Sequence, residues 1–454
     1  MQNRPNILFM IADDHRHDAI HALGDETVQT PNLDAMIERG TCFRNAHIMG
    51  GLSGAVCVPT RACMHTASPT FRASVSNRVD DYRSLLTINP EKAVMGEAFR
   101  QAGYHTFGTG KWHNDRASFA RSFTSGANIF FGGMSDHLQV PIHDFDPSGQ
   151  YPDEAKYMGD GFSTDLFCDA AINFLETYNQ DAPFFLYLSF TSPHDPRMAP
   201  EPYGSMYRPA DMPVPANFMA EHPFDNGDMR LRDEVLATFP RTPEIVQEHI
   251  ADYYGMITHH DYHIGRIFET LKAHGYADNT IIVYTADHGL AVGQHGLLGK
   301  QNMYDHSLRV PSIIQGPNIP QGKQIDQLTF SFDMFPTLCD LAGIDIPESV
   351  ESPSLQPLIS GKTEQGRDSV FSVYKDIQRM VKKGDWKLTR HYESATNGEG
   401  TNRLQLFNVA DDPWEMNDLS TVIDLQPRIQ ELAALLATWQ GEVDDPMRGT
   451  SVIP

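Results

Sequence analysis

Residues 280–289 form the sequence Thr-Ile-Ile-Val-Tyr-Thr-Ala-Asp-His-Gly, which contains the clearest strand pattern in the chain. Its first six residues are β-branched, apolar or aromatic, and such a run is typical of a strand that is buried on both faces. A helical pattern at 261–274, closed by Gly275, comes shortly before it. This order predicts an α/β fold in which Asp287 and His288 lie just beyond the end of a buried strand.

The same alternation of apolar runs and helical patterns extends towards both ends of the chain. Further strands are predicted at 7–11, 104–109, 184–190 and 310–315, and further helices at 31–39 and 164–178. The helix at 31–39 has clear boundaries, with Thr30 as N-cap, Pro31 in the first turn and Gly40 after its end. These elements predict a large mixed, mostly parallel sheet sandwiched by helices, in a catalytic domain that spans residues 1–365.

From about Gly361 the pattern changes to short alternating segments. They lie at 369–374, 378–382, 386–390 and 404–408, and an amphipathic helix at about 425–440 follows them. We therefore expect a small C-terminal antiparallel sheet with a helix, as an α+β subdomain at 366–454. Between Pro196 and Pro243 the chain is rich in Pro, Met, Asp and aromatic residues without clear periodicity. We interpret this part as a long surface excursion, a kind of loop that is often functional.

The chain is strongly acidic, since 35 Lys and Arg stand against 59 Asp and Glu, a formal charge of −24. This charge argues against nucleic acid as a partner, and an anionic substrate has to be attracted locally, by a metal or a few placed cations. The 5 Cys lack paired spacing, which indicates a reduced protein without a disulfide framework. No membrane-spanning run and no secretory signal pattern are present. We expect no membrane partner and a cytoplasmic location as written, or a periplasmic one if the sequence lacks its signal.

Polar motifs follow several of the predicted strands at the point where each strand ends. They are Asp13-Asp14-His15, Lys111-Trp112-His113, Thr191-Ser192-Pro193-His194 and Asp287-His288-Gly289. Because the ligand crevice of an α/β sheet lies outside the carboxyl ends of the strands, we expect these motifs to meet. Two adjacent aspartates in a half-buried crevice need a cation, and carboxylate oxygens suit Ca²⁺ or Mg²⁺. A zinc site is the alternative, but His17 and His21 are supported by no H-E-x-x-H motif or Cys pair.

The segment Cys57-Val58-Pro59-Thr60-Arg61 places a cysteine immediately before a predicted helix start. The helix N-terminus and the nearby Arg61 favour negative charge there, so Cys57 could be a reactive thiolate. For a lone cysteine a small buried core residue is the more common interpretation. We assign that interpretation to the other four, which are Cys42, Cys63, Cys168 and Cys339.

The pattern Cys57-x-Pro-x-Arg61 resembles the signature of the type I, formylglycine-dependent sulfatases of the alkaline phosphatase superfamily, with Thr60 where serine is commonest. Other blocks resemble the same family along nearly the whole chain. They are Arg4-Pro5-Asn6-Ile7 to Asp14, Thr30 to Asp34, Gly110 to His113, Ser192-Pro193-His194, Asp287-His288-Gly289, Gly299-Lys300, Trp386-Lys387-Leu388, Leu406 to Pro413 and Asn417-Asp418-Leu419. Asp287-His288 resembles the iduronate-sulfatase-like and bacterial polysaccharide-sulfatase branches.

This resemblance implies a cofactor set and a role for each site residue. Cys57 would be oxidised to formylglycine by a formylglycine-generating or anaerobic sulfatase-maturing enzyme, and its hydrate would attack sulfur. Ca²⁺, with Mg²⁺ as an alternative, would be held by Asp13, Asp14, residue 57, Asp287 and His288. Sulfate oxygens would be bound by Arg61, Lys111 and Lys300. His194 would be the general acid, with Lys300 as a helper, and His113 would assist the release of sulfate. Loop position alone suggests that His295, His306 and Arg309 bind substrate.

We therefore expect hydrolysis of a sulfate ester, with a mono-, oligo- or polysaccharide sulfate as the substrate. A phosphonate monoester or phosphodiester hydrolase of the same superfamily remains an alternative, because a site of one metal and several Lys and Arg could process both kinds of ester. A non-catalytic protein that binds sulfated glycans, with Cys57 still a thiol, is the second alternative.

Overall fold

The computed structural model describes residues 4–79 and 81–453 and contains a large central sheet, a smaller C-terminal sheet and two short strand pairs. The strands are β1 (Asn6–Ala12), β2 (Thr41–Phe43), β3 (Ala46–His47), β4 (Gly50–Gly51), β5 (His105–Lys111), β6 (Ser125–Phe130), β7 (Pro141–Ile142), β8 (Tyr157–Met158), β9 (Phe184–Ser189), β10 (Thr280–Ala286), β11 (Ser312–Gln315), β12 (Lys323–Ile325), β13 (Thr329–Phe330), β14 (Val370–Tyr374), β15 (Gln378–Lys383), β16 (Trp386–His391) and β17 (Arg403–Asn408). The helices are α1 (Pro31–Arg39), α2 (Cys57–Thr66), α3 (Thr70–Ala73), α4 (Tyr82–Leu86), α5 (Met95–Gln101), α6 (Arg116–Ser122), α7 (Ser163–Thr177), α8 (Pro243–Ala273), α9 (Asp305–Leu308), α10 (Met334–Ala342), α11 (Gln356–Ile359) and α12 (Gln426–Glu442).

The central sheet has eight strands in the order β12-β2-β11-β10-β1-β9-β5-β6. The five neighbours β10, β1, β9, β5 and β6 are parallel, whereas β11 is antiparallel to both of its neighbours. Helices cover both faces of this sheet. Successive side chains of a strand point to opposite faces, so two neighbouring residues of one strand can contact helices on the two sides. Phe107 of β5 stacks on Phe174 of α7, and the next residue, Gly108, faces Phe119 of α6. The predicted mixed, mostly parallel sheet between helices is confirmed.

Helix α8 is much longer than the sequence pattern predicted. It begins at Pro243, where the Thr242 hydroxyl accepts a hydrogen bond of 3.3 Å from the Ile245 amide, and continues to Ala273. Its middle is buried on nearly all sides, from Tyr253 to Asp261, so the polar stripe that marks an amphipathic helix is missing there. The excursion predicted between Pro196 and Pro243 is present, with only short 3₁₀ turns before α8. Within the described ranges no helix, α8 included, has the length and apolar character to cross a membrane.

The C-terminal sheet contains five strands in the order β17-β16-β15-β14-β4. Strands β14 to β17 form an antiparallel meander against which α12 packs, so the predicted small sheet with a helix is confirmed. Its fifth strand, β4, comes from the N-terminal part of the chain and pairs in parallel with β14. A side chain at Gly50 would lie 2.3 Å from the Val373 carbonyl oxygen, at a φ of +72° that favours glycine. One continuous apolar core joins this sheet to the central one, and the boundary at residue 365 stays a prediction.

Candidate active site

The carboxyl ends of four adjacent parallel strands, β10, β1, β9 and β5, bring the predicted polar motifs together. Backbone hydrogen bonds continue beyond the strands and hold these ends in register. The Asp13 amide donates to the Ser192 carbonyl at 3.2 Å, and the Asp287 amide donates to the Ala12 carbonyl at 3.1 Å. The acidic side chains that follow β1 and β10 are therefore forced to face the same crevice.

A buried set of potential ligands lies at the centre of this crevice. One ligand atom each from Asp13, Cys57, Asp287 and His288 lies within 4.8 Å of the others. Asp14 joins the set through His288, whose Nδ1 is 2.9 Å from Asp14 Oδ1. Asp14 has a left-handed φ of 67°, and the Tyr253 hydroxyl holds its carbonyl at 2.6 Å.

Two of these ligand atoms lack a hydrogen-bond partner among the residues that the structure describes, namely Asp13 Oδ1 and His288 Nε2. A buried polar atom left unsatisfied costs about 1–3 kcal/mol, so two in one cluster point to a missing partner. Carboxylate oxygens with one imidazole nitrogen form a donor set that suits a hard divalent cation. The residues present therefore fit a metal ion.

Three buried cations balance the three buried carboxylates of the cluster. Lys111 forms an ion pair with Asp13, and Lys300 Nζ lies 2.8 Å from Asp14 Oδ1. Arg61 Nε donates to Asp287 Oδ2 at 2.9 Å. Its Nη1 donates to the Ser189 hydroxyl at 2.7 Å, and its Nη2 has no partner in the described parts of the chain. The site therefore contains the positive groups that a sulfate ester requires.

Burial and these charges shift the pKa values of the cluster. Burial disfavours the ionised form of Asp14, but His194, Lys300 and His288 outweigh it and hold the pKa of Asp14 well below its usual value. Burial also opposes a thiolate at Cys57, yet Lys111 and Lys300 lower the pKa of Cys57 to about 6. The pKa of His288 is raised to about 10, against burial, chiefly by Asp287. The cluster therefore stabilises negative charge at residue 57 and positive charge around it.

Cys57 is the first residue of α2 and is only 1 % exposed. Its Sγ lies 3.0 Å from His113 Nδ1 and 4.0 Å from Lys111 Nζ. Burial and the charge of Lys111 hold the pKa of His113 well below its usual value, so His113 is neutral and can accept a proton from residue 57. The Tyr82 hydroxyl, 3.3 Å from His113 Nε2, holds the other side of this ring.

A cavity of about 260 Å³ opens above Cys57. It is lined by Gly54, Ala55, Cys57, Tyr82, His113, Gly133, Met134, His194, Leu231, Arg232, Asp233, Lys300 and Gln301. His194 Nδ1 lies 2.7 Å from the Asp195 carbonyl oxygen, and its Nε2 is 3.9 Å from Asp14 Oδ2. Of the residues predicted to act on the ester, Cys57, His113, His194 and Lys300 line this cavity. Lys111 and Arg61 are fully buried behind it, with Lys111 Nζ 4.0 Å from Cys57 Sγ and Arg61 Nη1 3.0 Å from the Lys111 carbonyl oxygen.

The rim of the cavity contains residues that sequence reasoning did not single out. Arg232 is 44 % exposed and forms ion pairs with Asp195 and, at 2.6 Å, with Asp233. Gln301 Nε2 donates to the other Asp233 oxygen at 2.7 Å. Arg232 and Asp233 belong to the predicted surface excursion between Pro196 and Pro243, and Gln301 follows the predicted site residue Lys300. The sequence therefore indicates the segments that form the rim, but not the side chains. A loop pattern carries no information on which side chains turn inwards.

The structure does not bring His295, His306 and Arg309 to the cavity above Cys57. His295 stacks on Tyr304 with ring centres 3.8 Å apart, and His306 stacks on the same ring at 5.5 Å. Arg309 donates to the Arg44 carbonyl at 2.7 Å. His306 and Arg309 line a separate small cavity near Trp414. None of the three lines the cavity above Cys57, and that they bind substrate stays a prediction from loop position.

Comparison with known proteins agrees with this geometry. Residues 5–344 match the family model described as Sulfatase, and residues 293–442 match the model of the C-terminal region of N-sulphoglucosamine sulphohydrolase. An N-acetylglucosamine-6-O-sulfatase from Bacteroides thetaiotaomicron is 28% identical over 97% of this chain and 87% of its own length. An arylsulfatase from Clostridium perfringens is 29% identical over 95% and 94%.

Among solved structures, one in complex with its substrate D-glucosamine-2-N,6-O-disulfate has a TM-score of 0.80 at 24% identity, covering 98% of this chain and 99% of the other. This likeness concerns the fold. Because the sulfatase model spans most of the chain, the protein belongs to the sulfatase family of sulfuric ester hydrolases, in the alkaline phosphatase superfamily.

Proposed function

We propose that the protein removes sulfate from a carbohydrate sulfate ester, with Cys57 converted to formylglycine as the nucleophile and Ca²⁺ as the metal. The observation that carries this proposal is the position of Cys57 Sγ. It lies in one cluster with the ligand groups of Asp13 and His288, each of which has an unsatisfied atom, and 4.0 Å from the amino group of Lys111. An ester at this point meets a nucleophile, a metal position and a fixed cation together.

The metal would be held by Asp13, Asp14, Asp287, His288 and residue 57, which together offer mostly oxygen donors. Such a set favours Ca²⁺ or Mg²⁺ over a softer ion. When bound, the ion would lower the pKa of the attacking hydroxyl and offset the charge on the sulfate oxygens.

Side chains of the site would bind the sulfate oxygens, orient the acidic ligands and transfer protons. Lys111 and Lys300 bind sulfate oxygens from fixed positions, since each is tied to an aspartate. Arg61 is completely buried and orients Asp287. His113 holds the proton of residue 57 at Nδ1, 3.0 Å away. His194 donates through Nδ1 to the Asp195 carbonyl, which leaves Nε2 to carry the proton that the leaving oxygen receives.

The size and polarity of the cavity support a single terminal sugar as the bound unit. Its volume of about 260 Å³ lies just below the ~300–1,000 Å³ typical of small-molecule pockets. Arg232, Asp233 and Gln301 supply charged and amide groups at its rim, where sugar hydroxyls would bind. The names of the relatives, an N-acetylglucosamine-6-O-sulfatase and a protein that acts on a glucosamine disulfate, favour a sulfated hexosamine. We propose removal of sulfate from the end of a chain rather than from its interior.

The test uses protein from a host that contains a formylglycine-generating or anaerobic sulfatase-maturing enzyme. Peptide mass spectrometry measures the modification of residue 57, and a panel of sulfated mono- and oligosaccharides, an aryl sulfate and an aryl phosphate diester measures activity. We expect modified protein with its highest kcat/KM on a sulfated sugar. The Cys57→Ala variant should be inactive, whereas Cys63→Ala, which changes another buried cysteine of α2, should stay active.

Three results would contradict the proposal. Faster turnover of the phosphate diester would assign the protein to the phosphodiester hydrolases. Activity confined to aryl sulfate would remove the carbohydrate assignment. Tight binding of sulfated glycans by fully modified, metal-loaded protein without any turnover would identify a binding protein.

A further inference from the structure

A second cluster of potential metal ligands lies between α7 and α8, apart from the cluster at Cys57. Asp165 is in the first turn of α7, and His259 and His263 are one turn apart on α8. His259 Nε2 and His263 Nε2 lie 2.9 and 2.8 Å from the same Asp165 oxygen, Oδ1, and 3.1 Å from each other. Three ligand atoms from two helices therefore form a nearly equilateral triangle.

The directions of these groups differ from those of ordinary hydrogen bonds. Asp165 Oδ1 has no hydrogen-bond partner in residues 4–79 and 81–453, although two ring nitrogens lie within 2.9 Å of it. Neither ring nitrogen therefore directs an N–H at this oxygen with hydrogen-bond geometry. The two Nε2 atoms instead have hydrogen-bond geometry with each other, at 3.1 Å. Three atoms that can each bind an ion therefore face one another at close range.

The dimensions of the triangle suit a transition metal. Bonds of about 2.0–2.1 Å, as Zn²⁺ makes to imidazole and carboxylate, place neighbouring ligand atoms about 2.9–3.4 Å apart in octahedral or tetrahedral geometry. The three separations of 2.8, 2.9 and 3.1 Å are close to that range. Two imidazoles and one carboxylate favour a first-row transition ion over Ca²⁺, which prefers oxygen ligands.

The surroundings fix the ligands and leave one side open. His259 and His263 are 2 % and 4 % exposed, and the His259 ring packs against Phe162 and Tyr203. The Asp165 side chain is 40 % exposed, so water can complete the coordination of an ion from the solvent side. Pre-positioned imidazoles with an open side are the usual form of a small metal site.

We propose that Asp165, His259 and His263 form a second metal site, which binds a divalent transition ion such as Zn²⁺ and links α7 to α8. The site differs in chemistry from the oxygen-rich cluster at Cys57 and is independent of the proposed substrate.

Arg266 opposes this site and provides its sharpest test. Its Nη1 lies 3.1 Å from His263 Nδ1, and Arg266 also forms an ion pair with Asp169 at 2.8 Å. Ligation through Nε2 requires the ring hydrogen on Nδ1, where it would face the Arg266 N–H. Arg266 therefore has to withdraw to Asp169 before the ion binds. In Arg266→Gln the amide oxygen can instead accept the Nδ1 hydrogen, which supports a ligating histidine.

The experiment measures Zn²⁺ binding in the presence of millimolar Ca²⁺, which keeps the catalytic cluster occupied. Protein freed of metal is titrated with Zn²⁺ against a chromophoric chelator, and Co²⁺ absorption reports the ligand type. We expect one tight equivalent of Zn²⁺ in the wild-type chain. Asp165→Asn and His263→Gln should weaken it about 100-fold, and Arg266→Gln should tighten it severalfold. His274→Ala, which changes an exposed histidine just after α8, should not alter it.

Circular dichroism establishes that each variant is folded. The Asp165 side chain is 40 % exposed, so we expect Asp165→Asn to fold normally, and a loss of Zn²⁺ binding in it then reports the loss of a ligand. The proposal is overturned if the wild-type chain binds no Zn²⁺ beyond the amount that Ca²⁺ displaces. It is also overturned if Asp165→Asn and His263→Gln retain the tight equivalent, or if Arg266→Gln binds as the wild-type chain does. None of these measurements depends on sulfatase activity, and the loss of Zn²⁺ in Asp165→Asn and His263→Gln identifies the site even if Ca²⁺ does not occupy the cluster at Cys57.

Discussion

Replacing Asp445 by asparagine should destabilise the protein by breaking a fully buried ion pair. Asp445 accepts hydrogen bonds from Arg379 Nε at 2.6 Å and Nη2 at 2.8 Å, and from Gln440 Nε2 and the Met447 amide at 3.0 Å each. Both partners of the pair have side chains 0 % exposed. Asparagine keeps the shape but leaves the guanidinium charge buried without a counter-charge, a change that costs about 3–5 kcal/mol.

The assay is urea unfolding followed by tryptophan fluorescence, at several pH values. The pKa of Asp445 lies below its usual value, because the hydrogen bonds and charge of Arg379 outweigh burial. The contribution of ionised Asp445 to the free energy of unfolding is therefore complete above the pKa of about 3.9 that it has in the unfolded chain. This contribution is lost as the pH falls through its lower pKa in the folded chain. The wild-type and Asp445→Asn chains should differ by the full amount at pH 7 and converge in stronger acid.

Two further variants separate this charge effect from a loss of shape. Arg379→Met combined with Asp445→Leu should recover most of the stability, because no unpaired charge remains buried. Asp211→Asn, in an exposed pair with Arg208, should leave the urea midpoint unchanged. The reasoning fails if Asp445→Asn costs less than about 1 kcal/mol at pH 7, or if the double variant is less stable than the single one.

Three predictions concern activity on the best sulfated sugar. Lys300→Gln should lower kcat about 10²- to 10³-fold with little change in KM, since its charge acts on the developing negative charge; a kcat within tenfold of wild type would contradict this role. Arg232→Ala should raise KM and leave kcat nearly unchanged, because Arg232 lies at the rim; steady-state kinetics that show the reverse would move it to the reacting centre. Chelation should abolish turnover, and added Ca²⁺ should restore it better than Zn²⁺ does; full activity in excess chelator would exclude a required metal.

The central strands and the acidic motifs were predictable because several constraints agree there. The run at 280–285 has apolar or β-branched residues on both faces, as a central parallel strand that is covered on both sides requires. The observed strand β10 has the same bounds to within one residue. Parallel strands place their carboxyl ends at one edge, so strand direction put Asp13 and Asp287 at the same edge, and the pairing of β1 with β10 brings them together.

Other features depend on tertiary contacts that leave no local pattern. The middle of α8, from Tyr253 to Asp261, lacks a polar stripe because other elements bury it on nearly all sides. A two-residue strand such as β4 has no periodicity. His295 and Arg232 both lie in loops, and only the folded chain decides that the first stacks on Tyr304 while the second faces the cavity.

The pairing of β4 with β14 delays completion of the structure around α2, the helix that begins at Cys57. Gly50 and Gly51 cannot join the small sheet until residues 370–374 have been translated, about 300 residues later. At ~5–20 residues per second this delay lasts roughly 15–60 s on the ribosome. Under the proposed conversion of Cys57 to formylglycine, an oxidising enzyme would act in this interval, because the thiol is only 1 % exposed in the folded chain. Folded chains that missed it should stay unmodified when the same enzyme is added later.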